Sequence, residues 1–343
     1  MDLIYANSNM EDLGVLLDYE FDLAFGSEEN DFELKIQAES HCCQPGFFVY
    51  IEGTEYGGII DSIESRTDTS EVIYRGRTWH GILNSHIIVP QSGEGYEYVR
   101  ETDISAEVTR ILQALGIEAS SFSGSGYPRF KVALYSDRPG DDFDYIGHDY
   151  NRYIEAYDGL SKVLRQNGGE LTIKFMYSGK TPGVVELQLV HTADYSEAEE
   201  LDAELSSMTI KKTHNAVNHL ICLGSGELED RMVVHLCVTE SGDIVEGLSN
   251  MQFVGVDEYA AVLDYPNVES EEELIKSGKE RLQELWGTDE MSVDFDAAAD
   301  AYNVGDTIGA YDEVMGVSAS ARITKKVVTI KNGVTTVSYE VGE

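Results

Sequence analysis

Apolar and polar residues alternate one by one along the first quarter of the chain, and this period limits the fold more than any other feature. The alternation runs through 13–26 (LGVLLDYEFDLAFG) and 30–39 (NDFELKIQAE). A period of two places the apolar side chains on one face of an extended strand. Three more strands are predicted within 46–78, where glycines and a polar turn interrupt the apolar runs. Short strands at this spacing predict a small antiparallel barrel or sandwich over 1–100.

The pattern changes to helical spacing after residue 100. Apolar residues recur every three or four positions at 104–115, and a second amphipathic segment covers 152–166. Two strands are then predicted at 171–178 and 184–192, joined by a turn that contains glycine and proline. These elements predict an α+β domain over 101–204.

Two distant segments share one pattern, which predicts an internal duplication. Both 46–77 and 305–342 run from a glycine through a strand, an acidic turn, a second strand and a polar turn to a closing strand. Two unrelated hairpins would give the same pattern, so both origins stay open. If the segments are related, the chain holds two related antiparallel β-barrels, the second of them split between 205–240 and 300–343. A helical insertion is then predicted at 241–299, within a mainly β fold that has α+β insertions.

The charge of the chain excludes one class of function and leaves two explanations. There are 63 acidic and 24 basic residues, which give a formal net charge of −39. Nucleic-acid binding depends on lysine and arginine neutralising phosphates, so such a surface repels DNA and RNA. The acidity serves either solubility, as in a salt-adapted host, or a surface that faces DNA without binding it, such as a channel wall.

No segment has the residues of a catalytic, cofactor or metal site. Asp142, Asp144 and Asp149 approach the spacing of a calcium loop, but other positions of that loop lack ligands. His214 and His219 lie in a predicted strand without a nearby carboxylate. The glycine-rich turns lack the context that binds phosphate, and no nucleophile elbow is present. Four cysteines without a CxxC pair are predicted to be small buried hydrophobes of a reducing compartment: Cys42, Cys43, Cys222 and Cys237.

The sequence also indicates where the protein is made and whether it enters a membrane. No apolar run is long enough to span a membrane, and the first residues, MDLIYANSNMEDLG, do not resemble a secretory signal. We therefore expect no membrane insertion of this chain and synthesis in the cytoplasm.

Three segments carry a resemblance to a known family. They lie at 74–90 (YRGRTWHGILNSHIIVP), 216–236 (AVNHLICLGSGELEDRMVVHL) and 304–342, which begins VGDTIGAYDEVMG. In order and character they resemble the tail-hub, or baseplate-hub, proteins of tailed bacteriophages, and those of siphoviruses in particular. The resemblance covers most of the chain, although none of its segments is a sharp motif.

The resemblance implies a structural role in a virion. In that family two barrels per chain and three chains form a ring with pseudo-sixfold symmetry, which docks on the tail tube and lets DNA pass at ejection. It implies a homotrimer, made in a bacterial cytoplasm and incorporated in the tail tip. The implied partners are the distal tail protein, the tail tube protein, the tape measure protein and a tail-tip, spike or fibre protein. It implies neither an enzyme nor a cofactor.

A channel wall would place acidic side chains towards the passing DNA. The candidates beside the turns of the closing strands are Asp306, Asp312 and Glu313. The lysines of the same strands would then point outward or into neighbouring subunits: Lys325, Lys326 and Lys331.

Two other functions fit the composition. Twenty tyrosines and many acidic loops are compatible with a carbohydrate-binding β protein of a phage baseplate or a cell surface. A hydrolase with an unrecognised pair of carboxylates is the third hypothesis, because acidic pairs are too abundant for one to be singled out.

Overall fold

A computed structural model shows the chain as two compact units. The first comprises Met1–Met208 and Val293–Glu343, and the second comprises Thr209–Ser292. The residues that the structure describes are 2–101, 103–117, 130–134, 150–176, 183–196, 206–212, 217–266, 268, 270–286, 289–297, 302–312 and 317–342.

The first unit is built on one large, mostly antiparallel sheet. Its strands are β1 (Leu3–Ala6), β2 (Asp12–Leu16), β3 (Tyr19–Gly26), β4 (Asp31–Gln37), β5 (Phe48–Tyr50), β6 (Gly57–Arg66), β7 (Glu71–Thr78), β11 (Ser206–Lys212), β16 (Asp289–Ala297), β17 (Thr307–Asp312), β18 (Val317–Lys331) and β19 (Val334–Gly342). Their order is β11-β16-β19-β18-β3-β4-β7-β6-β5-β1-β2, and β17 pairs with β18. The prediction of a mainly β fold is confirmed.

The pairing of β3 with β18 joins the beginning of the chain to its closing strands. The register runs from Lys325 opposite Gly26 to Lys331 opposite Glu20. Gly26 has a φ of +131°, and a Cβ on it would lie 2.2 Å from the Thr324 carbonyl oxygen. Only glycine allows this close approach, so the residue fixes where the two strands meet.

A short helix follows β7, within the segment 74–90 that carries part of the family resemblance. Helix α1 (Trp79–Asn84) begins after Thr78, whose hydroxyl accepts a hydrogen bond from the Gly81 amide. Trp79 is fully buried. Six residues are too few to show helical spacing, so the sequence pattern gave no indication of this helix.

The elements of the predicted α+β domain lie in the first unit. They are α2 (Ile104–Ala114), β8 (Phe130–Leu134), α3 (Ala156–Arg165), β9 (Gly169–Met176) and β10 (Val184–His191). The three strands form their own sheet in the order β8-β10-β9. Apolar side chains of α2, α3, β9 and β10 share one buried cluster with residues nearer the start of the chain, including Phe48, Tyr50 and Trp79. The segment therefore shares a core with the residues before it.

The second unit is a four-stranded sheet with one helix. Its elements are β12 (His219–Leu223), β13 (Val233–Val238), β14 (Ile244–Glu246), β15 (Ala260–Asp264) and α4 (Glu271–Trp286). The strand order is β14-β13-β12-β15. Alternate side chains of β12 and β13, among them Leu220, Cys222 and Leu236, form a buried cluster with Leu274 and Leu282 of α4.

These strands change the predicted boundaries of the split barrel. Strands β11 and β16 do join the sheet of the closing strands, but β12 and β13, predicted for the second barrel, lie in the second unit. The insertion is therefore longer than 241–299, and it is α/β, because β12 and β13 bury their apolar residues against α4. That the two halves of the large sheet superpose stays a prediction.

Replacing Gly278 of α4 by alanine should destabilise the second unit, although alanine is the better helix former by about 1 kcal/mol. An added Cβ would lie 2.5 Å from the Cys222 sulfur and 2.6 Å from Leu236 Cδ1. Overpacking of this kind costs about 1–3 kcal/mol, which exceeds the gain in helix propensity. We expect the buried Cys222 thiol to react faster with a thiol reagent, as measured by mass spectrometry of the labelled peptide.

The control is Lys276→Ala, at an exposed position of the same helix. It should leave the labelling rate of Cys222 unchanged. A wild-type rate in the Gly278→Ala variant would contradict the close packing of α4 on β12.

Candidate functional site

The outer face of the large sheet carries a row of ion pairs that crosses five neighbouring strands, β18, β3, β4, β7 and β6. Alternation along each strand turns residues such as Phe21 and Leu23 inward and Glu20 and Asp22 outward. The pairs are Lys331–Glu20 (2.6 Å), Lys35–Glu33 (2.7 Å), Arg75–Glu33 (2.7 Å), Arg75–Glu64 (2.6 Å), Arg66–Glu64 (2.7 Å) and Arg77–Asp61 (2.8 Å). We call this surface the charge ladder.

The ladder holds basic side chains in place on a chain that is strongly acidic. Hydrogen bonds from Lys35 and Arg75 hold the pKa of Glu33 below its ordinary value. Arg75 lies between Glu33 and Glu64, and its own pKa is raised by hydrogen bonds to both carboxylates. Five basic and four acidic side chains take part in the described pairs. The ladder is thus nearly balanced in charge, and its cations already have carboxylate partners.

On the inner side of the same sheet, Lys326 is buried among aromatic rings. Its side chain is 1 % exposed, and its ammonium donates a hydrogen bond to the Tyr302 carbonyl oxygen at 3.2 Å. The same nitrogen lies 5.6–6.0 Å from the ring centroids of Phe25, Tyr56 and Tyr339. Cation–π attraction at these distances compensates in part for the loss of water. The expectation that Lys326 points outward is therefore wrong.

A buried carboxylate lies near this lysine. Glu55 is 6 % exposed, and its Oε1 accepts a hydrogen bond from the Ile173 amide at 2.9 Å and lies 3.3 Å from His80 Nε2. Burial alone would raise the pKa of Glu55, but the hydrogen bond with His80 and the nearby Lys326 lower it below the ordinary value. The Phe25 ring stacks on His80 with centroids 4.5 Å apart. Residues that are distant along the chain thus pack together around Glu55 and Lys326 in the first unit.

Asp306, predicted to face a channel, is used inside the protein. It is 2 % exposed, and its carboxylate accepts hydrogen bonds from the amides of Ala193 and Asn303, both at 2.8 Å. Burial raises its pKa, and these hydrogen bonds oppose that rise. The expectation for Asp306 is therefore wrong, because this carboxylate fixes the turn before β17. Asp312 ends β17 with its side chain outside the described residues, and Glu313 lies outside them altogether.

The other two lysines behave as surface residues. Lys325 forms ion pairs with Glu29 (3.0 Å) and Glu340 (2.7 Å), and Lys331 belongs to the charge ladder. Parity separates Lys326 from Lys325, because Lys326 alternates in register with the buried Val328 and Ile330. The β-bulge of β18 lies before Lys325 and leaves this stretch regular.

A histidine pair of the second unit was missed by the sequence analysis. His219 Nδ1 lies 2.8 Å from Glu258 Oε1, and His219 Nε2 lies 2.9 Å from His235 Nδ1. Burial and the neighbouring His219 lower the pKa of His235. The signal was the hairpin of β12 and β13, in which His219 lies opposite Cys237 and therefore near His235. The separation of Glu258 by 39 residues gave no such signal.

The remaining candidates do not form a site within the described residues. His214 and the acidic loop at 142–149 lie outside them, and all four cysteines are free. Among the residues that are described, no group of three or more histidine, cysteine, aspartate or glutamate side chains could hold a metal ion. None of the described helices is both long and apolar enough to cross a membrane.

Comparison with known proteins identifies the fold. No family model and no curated protein matches the sequence. The prophage MuSo2 43 kDa tail protein from Shewanella oneidensis is 14 % identical with a TM-score of 0.57, over 100 % of this chain and 98 % of its own. A tail protein from Neisseria meningitidis is 13 % identical with a TM-score of 0.52, over 100 % and 96 %. A prophage tail protein from Listeria monocytogenes is 11 % identical with a TM-score of 0.50, over 99 % and 94 %.

These matches run along the whole of both chains, insertions included. The chain therefore has the fold of phage and prophage tail proteins, and the resemblance noted in its sequence is confirmed at the level of the fold.

Replacing Lys326 by methionine should destabilise the first unit strongly. Methionine fills a similar volume, but the variant leaves Glu55 and Asp306 buried without their cation. Breaking a buried charge arrangement from one side costs about 3–5 kcal/mol. Urea denaturation followed by circular dichroism should show a lower midpoint. The matched control is Lys331→Met in the charge ladder, which should cost less than about 1 kcal/mol because its pair is exposed. Equal midpoints for the two variants would contradict the role given to Lys326.

Lowering the pH should reduce the difference in free energy of unfolding between the wild-type protein and a Glu55→Gln variant. The pKa of Glu55 is lower in the folded protein than in the unfolded chain, so its charge stabilises the fold above the unfolded pKa. This contribution is lost as the pH falls through the folded pKa. The difference in free energy of unfolding between the two proteins should be largest near neutral pH and shrink below about pH 4.5, the usual value for glutamate. A difference that stays constant between pH 7 and pH 4 would contradict the assignment.

Proposed function

We propose that this protein is a structural component of a phage tail, the hub at the distal end of the tail tube. The observation that carries the proposal is the length of the match, since the fold of a prophage tail protein extends over 100 % of this chain and 98 % of the other. The insertion and the closing strands are included in that span. A shared fold alone does not fix a function, but a match of the complete arrangement to several tail proteins favours the same role.

In this proposal three chains form a ring. The large sheet is compatible with such a ring. Three chains, each with two similar halves of the sheet, would supply six similar segments around the ring. The ring would contact the tube protein and the distal tail protein on one side, and the tape measure and a tip, spike or fibre protein on the other. The protein would have no catalytic activity of its own and would be located in the virion.

The charge ladder suggests how a ring could let DNA slide past. A free lysine or arginine binds a phosphate by releasing counterions. In the ladder the basic side chains already lie 2.6–2.8 Å from carboxylates, so a phosphate would have to displace an existing partner. The remaining acidic excess of the chain repels the polyanion. We therefore assign the channel side to the ladder face, in place of Asp306.

Native mass spectrometry tests the ring directly. Three copies of a 38.0 kDa chain should give a species of about 114 kDa. The negative charge of each chain opposes assembly and is screened by salt, since the Debye length falls from about 8 Å at 0.15 M to about 3 Å at 1 M. Light scattering should therefore show a larger trimer fraction at high salt, and negative-stain images should show rings.

A protein that stays monomeric at both salt concentrations and at tens of micromolar would overturn the proposed ring.

The proposed channel role of the charge ladder is tested separately, by DNA binding. Arg75→Glu together with Glu33→Arg exchanges charges within the ladder and should leave DNA binding absent, whereas Glu33→Gln with Glu64→Gln frees Arg75 and should produce weak, salt-sensitive binding in a gel-shift assay. Binding by the wild type would contradict the channel role.

A further inference from the structure

One face of the sheet of the second unit packs against a helix. Helix α4 covers the face formed by residues such as Leu220, Cys222 and Leu236. Side chains on neighbouring strand positions point to the opposite face. We call that opposite side of β13, β12 and β15 the open face.

The open face is apolar at one end, while its other end carries His219, His235 and Cys237, of which His219 and Cys237 are buried. Val262 of β15 lies beside Ile221 of β12, and Leu223 of β12 lies opposite Val233 of β13. Val262 is 61 % exposed and Val233 is 47 % exposed, while Ile221 and Leu223 are half-buried. Four large aliphatic side chains thus form a continuous strip that water still reaches.

The strip ends at an edge strand whose backbone is free. Among the described residues β15 pairs with β12 alone and stands last in the strand order. The His219 amide donates to the Tyr259 carbonyl, and the Tyr265 amide donates to the Leu223 carbonyl. Odd-numbered residues of this strand therefore bond to β12, and the backbone groups of Ala260, Val262 and Asp264 point away from the sheet.

The edge has a single sign of charge. The segment 257–264 contains Asp257, Glu258 and Asp264 and no lysine or arginine. Arg231 forms an ion pair with Asp264, and Glu258 lies 2.8 Å from His219. Edge strands in natural proteins are commonly protected from pairing by lysine, proline or a bulge, and β15 has none of these within its bounds.

We propose that β15 is the docking strand for an extended segment of another protein, one that alternates apolar residues with lysine or arginine. The segment adds a fifth strand to the sheet through the free backbone groups of Ala260, Val262 and Asp264. Its apolar side chains extend the strip on the open face, and its basic side chains meet the acidic ends of β15. A second copy of this chain is disfavoured as the occupant, because it would bring the same acidic edge. The proposal concerns the second unit and does not depend on ring formation.

The test uses the full chain and a defined probe, a fluorescent eight-residue peptide that alternates lysine and valine. Fluorescence anisotropy should show saturable binding that weakens as salt rises from 0.05 to 0.5 M, by the screening of surface charges. A peptide that alternates glutamate and valine should bind at least about tenfold more weakly. Amide hydrogen exchange of the segment 259–265 should slow when the lysine peptide is added.

The matched variants are Val262→Pro and Val262→Thr. Proline removes the outward amide, which has no partner within the sheet, so the unit should still fold. Threonine keeps the amide and is favourable in a strand. We expect the proline variant to bind the lysine peptide at least about tenfold more weakly than wild type, and the threonine variant to bind within about twofold. Unchanged protection of Cys222 from a thiol reagent would show that both variants are folded.

Several results would overturn the proposal. They are no binding of the lysine peptide, equal binding by the proline variant, equal binding of the glutamate peptide, or no slowing of exchange in 259–265. Protection of this segment that grows with protein concentration alone would show that a second copy occupies the edge, and it would overturn the proposal as well. If the proline variant fails to fold, the exchange measurement on the wild type decides.

Discussion

The pairing of β3 with β18 is the interaction on which the first unit depends. These strands stand in the middle of the strand order, and every other strand of the large sheet lies on one side or the other of them. Gly26 allows the backbones to approach, and Lys326 enters the core between Phe25, Tyr56 and Tyr339. Because the lysine lies near both Glu55 and Asp306, these three buried charges are tied to this one junction. The junction therefore sets the register of the sheet as well as the electrostatics beneath it.

The two faces of the large sheet differ in how their charged side chains are exposed to water. On the inner side a few charged groups are removed from water and are held by hydrogen bonds, rings and each other, where any uncompensated member is costly. On the outer side many charges form exposed pairs, each worth little for stability. The ladder is consequently better explained by what it presents to the surroundings than by its contribution to the fold. On a chain with a net charge of −39, the arginines and lysines of the ladder lie where carboxylates already hold them.

Much of the fold could be predicted, because the spacing of apolar residues within short segments indicates which of them form strands and which form helices. The alternation at 30–39 became β4, the helical spacing at 104–115 became α2, and the strand predicted at 184–192 became β10. The inward direction of Lys326 could also have been predicted, because its parity is that of the buried Val328 and Ile330. The assignment of β12 and β13 could not, since their apolar pattern fits any sheet and only the contact with α4 decides it. Asp306 could not be placed either, because acidic residues beside turns can accept backbone hydrogen bonds, as Asp306 does, or face solvent, and sequence spacing does not distinguish the two. The expectation for Asp312 and Glu313 stays a prediction.

The distance along the chain between β3 and β18 also has a consequence for synthesis. About 300 residues separate Phe25 from its partner Lys326. At a synthesis rate of about 5–20 residues per second, β3 is made roughly 15–60 s before its neighbour emerges from the ribosome. Throughout that interval the nascent polypeptide exposes the edge of β3, including the apolar surface that Lys326 and the closing strands will cover. The abundant carboxylates of the emerging chain would keep adjacent nascent chains on a polysome apart during this period, which gives the acidity a use before any particle is assembled.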